Sequence, residues 1–201
     1  MVRWTPEMEE EFIDLEIMED ILEEKRTVKG DFTTGIYIKE QKEEFEKVSV
    51  LDGEIELYLP QKREKKEHYG REFMYTKVMG KFEEYVSDGG RFCFTIEKLE
   101  DCLPEDSDIK ADVVEDIEDS YKNTVITEIA DFENKGMKID SIMAEGMIGD
   151  DFDEYVGFIF FIVCGTELYR FYIMSEDSLW DITYKLGLRV VKNMELKEGI
   201  L

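Results

Sequence analysis

Histidine is almost missing from this chain: His68 is the only one in 201 residues. Nucleophilic triads and catalytic zinc centres draw on histidine, and one histidine inside a lysine- and arginine-rich stretch is a poor base. Cysteine is scarce as well. Cys93, Cys102 and Cys164 are odd in number and show no C-x-x-C spacing, which points to free thiols in a reducing compartment rather than a disulfide framework. No run reaches the length of apolar residues that a membrane-spanning helix needs. The opening MVRWTPEMEEEF lacks an apolar h-region and a small-residue cleavage site, so a cytoplasmic location is expected. There is no G-x-S-x-G, no Walker loop and no G-x-G-x-x-G after a strand.

Bases are in short supply too. Fifty acids against 25 bases leave a formal net charge of −25 and a pI near 4.3. Such a field repels nucleic-acid backbones and anionic membranes, and it speeds encounter with basic proteins. What is present is globular: 43% of residues are hydrophobic and 12% aromatic, enough to form a core without staples.

The core is predicted around Tyr155 to Gly187. Phe158 to Cys164 is an unbroken apolar run suited to a strand buried on both faces, Gly165-Thr166 supplies a turn, and Leu168 to Met174 runs back. Leu179, Ile182 and Leu186 recur at helical spacing, with Gly187 as the expected stop and Leu188 to Val191 as a short edge strand. At the other end, Thr5-Pro6 opens a predicted amphipathic helix, Pro6 to Arg26, with Met8, Phe12, Leu15, Met18 and Leu22 along one stripe. Residues 1–29 are read as this helix, packed on or extending from the domain, and 30–201 as one domain.

Between these ends, Ile36 to Ile38, Val48 to Val50 and the alternating Glu54 to Leu59 read as strands, the last ended by Pro60. Ser87-Asp88-Gly89-Gly90 joins a hairpin from Phe82 to Ile96. A helix is expected from Ser107 to about Lys122, then strands over Thr124 to Phe132 and Met137 to Ile148. Hairpins grouped between helices make the class α+β with an antiparallel sheet.

Two clusters could bind something. Asp112, Glu115, Asp116 and Asp119 cover the polar face of the Ser107 helix, and Asp150, Asp151 and Asp153 crowd the loop before the central strand. These acids are the candidate partner-binding residues. The one basic island, Lys62, Arg63, Lys65, Lys66 and Arg71, is the candidate anion site, read as a loop. No metal is expected, since Asp106, Asp108 and Asp112 lack the glycine and final glutamate of an EF-hand and the Asp150 cluster has no second half. No catalytic residue and no cofactor is assigned.

The element order resembles that of the Ran-binding Mog proteins and the photosystem II extrinsic subunit PsbP. The marks that carry the likeness are DGEIELYLPQ at Asp52 to Gln61, the hairpin after it, and the acidic helix before a long meander. The closing strand-strand-helix that holds Trp180 completes them. The resemblance covers roughly Ile36 to Val191. It implies an antiparallel sheet of about six strands with helices on both faces, an α/β/α sandwich, to which the N-terminal acidic helix would be an addition. It also implies a family that acts by binding.

Three functions follow as expectations. The first is a non-enzymatic, cytoplasmic protein-interaction module that binds a basic protein through its acidic surface, without direct nucleic-acid or membrane contact. The alternative is an immunity or antitoxin-type inhibitor whose acids mask a basic toxin. The third is a small-molecule or enzymatic domain with a pocket between the sheet and the C-terminal helix near Trp180, or at the basic island.

Overall fold

The computed structural model describes residues 28–38, 41–66, 80–99, 109–120, 124–148 and 154–197. Its centre is a seven-stranded sheet. The strands are β6 (Arg63–Lys66), β7 (Gly80–Ser87), β8 (Phe92–Leu99), β12 (Glu167–Glu176), β11 (Glu154–Cys164), β10 (Met137–Ile148) and β9 (Val125–Asn134), in that spatial order. Every pairing is antiparallel. Two small sheets stand beside it. One joins β1 (Lys29–Asp31), β2 (Gly35–Ile38) and β3 (Gln41–Glu43); the other joins β13 (Glu195–Leu196), β5 (Ile55–Pro60) and β4 (Phe45–Val50).

The expected six-stranded α/β/α sandwich is therefore corrected. The described chain is mostly β, its main sheet has seven strands, and it has two α-helices, α1 (Ile109–Ser120) and α2 (Trp180–Asn193). The extra strand is β6, formed by the basic island that the sequence reading made a loop. Its charged residues hide the period-two pattern, and pairing with β7 decides the matter. The predicted N-terminal helix and the Phe73 to Val78 strand lie outside the described residues.

The central strand behaves as its composition demands. Phe158, Ile159, Phe160, Phe161 and Ile162 are all buried, so β11 faces apolar neighbours on both sides. On one side, Phe158, Phe160 and Ile162 join Phe171 and Ile173 of β12 and pack under α2. Ile36, Ile38, Leu57 and Leu59 of the small sheets complete this core. On the other side, Ile159 and Phe161 pack with Ile142, Tyr172 and the α1 residues Val113 and Ile117. Truncating a fully buried ring such as Phe160 to alanine removes about 3–5 kcal/mol.

Helix α2 runs through the glycine expected to stop it, and Leu188 to Val191 are helical rather than an edge strand. Gly187 serves packing. A Cβ there would lie 2.6 Å from Cγ2 of Ile173 and 3.0 Å from Cε2 of Phe160, so its bare backbone lets the helix sit close on β11 and β12. The packing of α2 outweighs the weak helix propensity of one glycine. Arg189 then donates to the carbonyls of Gly30 and Val28 at 2.6 and 2.8 Å and ties residues 28–30 to this helix.

Candidate functional site

Helix α1 is held to the sheet by its apolar pair and one cation. Val113 and Ile117 are buried, while Lys110 bridges Glu128 of β9 and Asp140 of β10, each at 3.1 Å. Burial works against the charge of Lys110, but hydrogen bonds to Glu128 and Asp140 outweigh it and hold its pKa above the ordinary lysine value. Val114 is partly buried beside Val113 and Ile117, and most of the acids point outward. Asp112, Glu115 and Asp119 are exposed, Glu118 lies with them, and Asp116 is half-buried.

None of Asp112, Glu115, Glu118 and Asp119 makes an ion pair among the described residues. They are spaced three or four apart, so like charges face each other along the helix. Glu118 and Asp119 also sit near its C-terminus, where the helix dipole disfavours acids, and the last turn holds no basic residue among the described ones. Each such pair weakens a helix by about 0.2–0.5 kcal/mol. The arrangement is electrostatically unfavourable for the isolated chain. Asp150, Asp151 and Asp153, the other predicted acids, lie outside the described residues.

The basic island is used differently. Arg63 donates to Oε1 of Glu46 and to the carbonyl of Pro60, both at 2.7 Å, and its guanidinium lies 5.7 Å from the Tyr85 ring centre. Lys65 pairs with Glu83 at 2.6 Å and Lys66 with Glu64 at 2.6 Å. Glu83 is a hub. It also accepts from the Tyr85 hydroxyl at 2.6 Å and from the Leu51 amide at 2.7 Å. Burial alone would raise the pKa of Glu83, but its hydrogen bonds to Lys65, Tyr85 and the Leu51 amide dominate and lower it. That amide belongs to the β4–β5 turn, where Leu51 and Asp52 have φ of 52° and 57°, a left-handed conformation that side chains disfavour. Lys65 thus helps hold a strained turn.

A shallow cleft of about 540 Å³ lies at this sheet corner, lined by Lys62, Arg63, Lys66 and the Ser87–Gly90 turn, with Glu64 and Asp88 also on its wall. Lys62 makes no ion pair among the described residues. The predicted anion site is thus gathered in part: Lys62, Arg63 and Lys66 line one cleft, Lys65 turns to Glu83, and Arg71, with His68, is outside the described residues. Trp180, the marker of the alternative pocket, begins α2 and is 41% exposed.

A buried ion pair escaped the sequence reading. Arg170 of β12 lies directly across from Glu97 of β8, and its Nε and Nη2 donate to Oε2 of Glu97 at 3.0 and 2.5 Å. Both side chains are essentially inaccessible, at 1% and 2%. The Gly80 amide donates to the other oxygen of Glu97 at 3.2 Å, and the guanidinium stands 4.9 Å from the Tyr172 ring centre. The signal was present: Arg170 is the single charge in LYRFYIM, and Glu97 follows an apolar alternation in FCFTIE. Nearby Cys93 is inert, since burial, then the charge of Glu84, push its thiol well above the usual range.

Among the described residues no helix is long and apolar enough to cross a membrane, and no group of three or more His, Cys, Asp and Glu side chains could hold a metal ion. No family model matches the chain, and no curated protein matches it in sequence. Solved structures do match. The solution structure of cyanobacterial PsbP (CyanoP) from Synechocystis sp. PCC 6803 superimposes with a TM-score of 0.54. It is 11% identical, and the match covers 76% of this chain and 92% of that one. The fold is PsbP-like. A Pseudomonas aeruginosa protein of unknown function is similar at a TM-score of 0.48 and 9% identity, over 77% of this chain and 99% of that one. At these identities the likeness concerns the fold alone.

Proposed function

We propose that this chain is a non-enzymatic, cytoplasmic protein-interaction module that binds a basic partner through the outer face of α1. One observation carries the reading. The cations Arg63, Lys65, Lys81, Lys98, Lys110 and Arg170 are each paired with a carboxylate of the same chain, whereas the four α1 acids stay exposed without a cation among the described residues. Part of the negative charge left over thus lies on a helix that gains no stability from it. Charge of this kind steers encounter and favours a complementary basic surface.

The test is capture of partners from the source lysate on two columns, eluted with rising salt. One carries the chain and the other carries Asp112→Asn, Glu115→Gln, Glu118→Gln and Asp119→Asn together. A basic protein retained by the first and lost from the second is the expected result. The same proteins on both columns, or none on either, would remove the reading.

A further inference from the structure

The two edges of the seven-stranded sheet are built differently. β6 is four residues long and carries lysines already engaged with carboxylates, a short charged edge of the kind that discourages further pairing. β9 is ten residues long and contains neither lysine nor proline. A register shift opposite Ile139 and Ser141 interrupts it, which leaves Val125 to Ile129 in unbroken pairing with Glu145 to Ser141. Among the described residues β10 is its only strand partner, and no other described strand pairs with the outer row of backbone N–H and C=O groups along this run.

The side chains say what kind of strand fits. Val125, 58% exposed, shares one side of β9 with Thr127 and Ile129 by the alternation of a strand. Acids gather around the run. Asp131 and Glu133 follow it, Glu145 stands across from Val125, and Glu118 and Asp119 lie in the last turn of α1, while Glu128 within the run is already paired with Lys110. A second copy of the chain is a poor occupant, because it would bring together two edges that each carry Asp131 and Glu133, on chains of net charge −25.

We propose that Val125 to Ile129 accepts an extended, basic segment of a partner protein as an added strand. Its β-branched residues would meet Val125, Thr127 and Ile129, and lysine or arginine would alternate with them. This rests on the acidic-surface reading above and specifies the form of what binds there. Backbone hydrogen bonds supply the affinity, and the surrounding acids select the charge.

The probes are a blocked peptide of alternating valine and lysine and the same peptide N-methylated at alternate residues, each added to the full chain and followed by amide hydrogen exchange. The unmodified peptide should slow exchange within residues 125–131. The N-methylated form, with equal charge but without the donors, should bind about tenfold more weakly or worse. Thr127→Arg with Asp131→Arg, both at exposed positions, should remove the protection without unfolding the chain. Equal binding of the two peptides, or slowed amides confined to residues 109–120, would overturn strand addition while leaving the acidic-surface reading intact. Failure of both peptides, with a basic protein still captured in an α1-dependent way, would do the same. Equal retention on the two columns described above would instead remove the acidic-surface reading itself.

Discussion

Strand β6 is charged at every position and helix α1 at half of its twelve, and the fold treats the two in opposite ways. On β6, Arg63 reaches Glu46 and Pro60, Lys65 reaches Glu83, and Lys66 reaches Glu64, so the island is spent on holding an edge and a strained turn. On α1, Lys110 is tied to the sheet, and four acids are left facing water. A run of charge in a sequence is therefore no guide to a site until its partners are known. Charges with partners inside the molecule act on stability, and those without act on whatever comes from outside.

The contrast can be broken first where charge is most deeply committed. Arg170→Met should destabilise the chain by about 3–5 kcal/mol, because it strands the Glu97 carboxylate in the core, and adding Glu97→Leu should recover much of that loss. Chemical denaturation of the single and double variants decides it. A single variant as stable as the parent would mean the pair is not buried as described.

On β6 the expected effect is smaller. Lys65→Glu with Lys66→Glu should cost about 1 kcal/mol, since Lys65 is itself largely exposed and the main damage is repulsion against Glu83. Partner binding should be unchanged. Lost binding at unchanged melting temperature would return the island to the status of a site.

A committed carboxylate should also announce itself in the pH dependence. Oδ1 of Asp31 accepts from the hydroxyl and amide of Thr33 at 2.6 and 2.8 Å and from the amide and hydroxyl of Thr34 at 2.8 and 3.0 Å. Those bonds, the Thr33 hydroxyl foremost, lower its pKa from 3.8 to about 2. Because the folded chain holds this proton less tightly than the unfolded one, the contribution is complete above 3.8 and is lost as pH falls toward 2. Denaturation of the parent and of Asp31→Asn should therefore diverge at neutral pH and converge in acid. A gap that widens on acidification would contradict the assignment.

Neutralising the four α1 acids should have the smallest effect on stability, near zero or slightly favourable as like-charge repulsion is relieved. A loss above about 1 kcal/mol in thermal unfolding would mean that those acids hold the fold after all.

The parts of the chain that proved legible are those where one physical signal dominates. The unbroken apolar run at Phe158, the alternating Ile55, Leu57 and Leu59, and the turn at Ser87 to Gly90 each became the strand or hairpin connection that the pattern demands. The helix expected from Ser107 is likewise present, with Val113 and Ile117, four apart, as its buried stripe. The sequence misled where tertiary contact overrides local preference. Gly187 reads as a stop but works as a packing surface for Phe160, and REKK reads as loop but is pinned by β7. The sites were less legible because pairing is a property of three dimensions. Nothing in Lys65 reveals Glu83, eighteen positions on, and nothing in Arg170 reveals Glu97, 73 positions back.

The measurement that tests the central claim most directly is the hydrogen-exchange footprint of the captured basic partner on the full chain. Slowed amides within residues 109–120, with or without residues 125–131, are the predicted result. A footprint confined to residues 62–66 and 87–91, the cleft beside the basic island, would contradict it and place the interaction on the surface assigned here to stability.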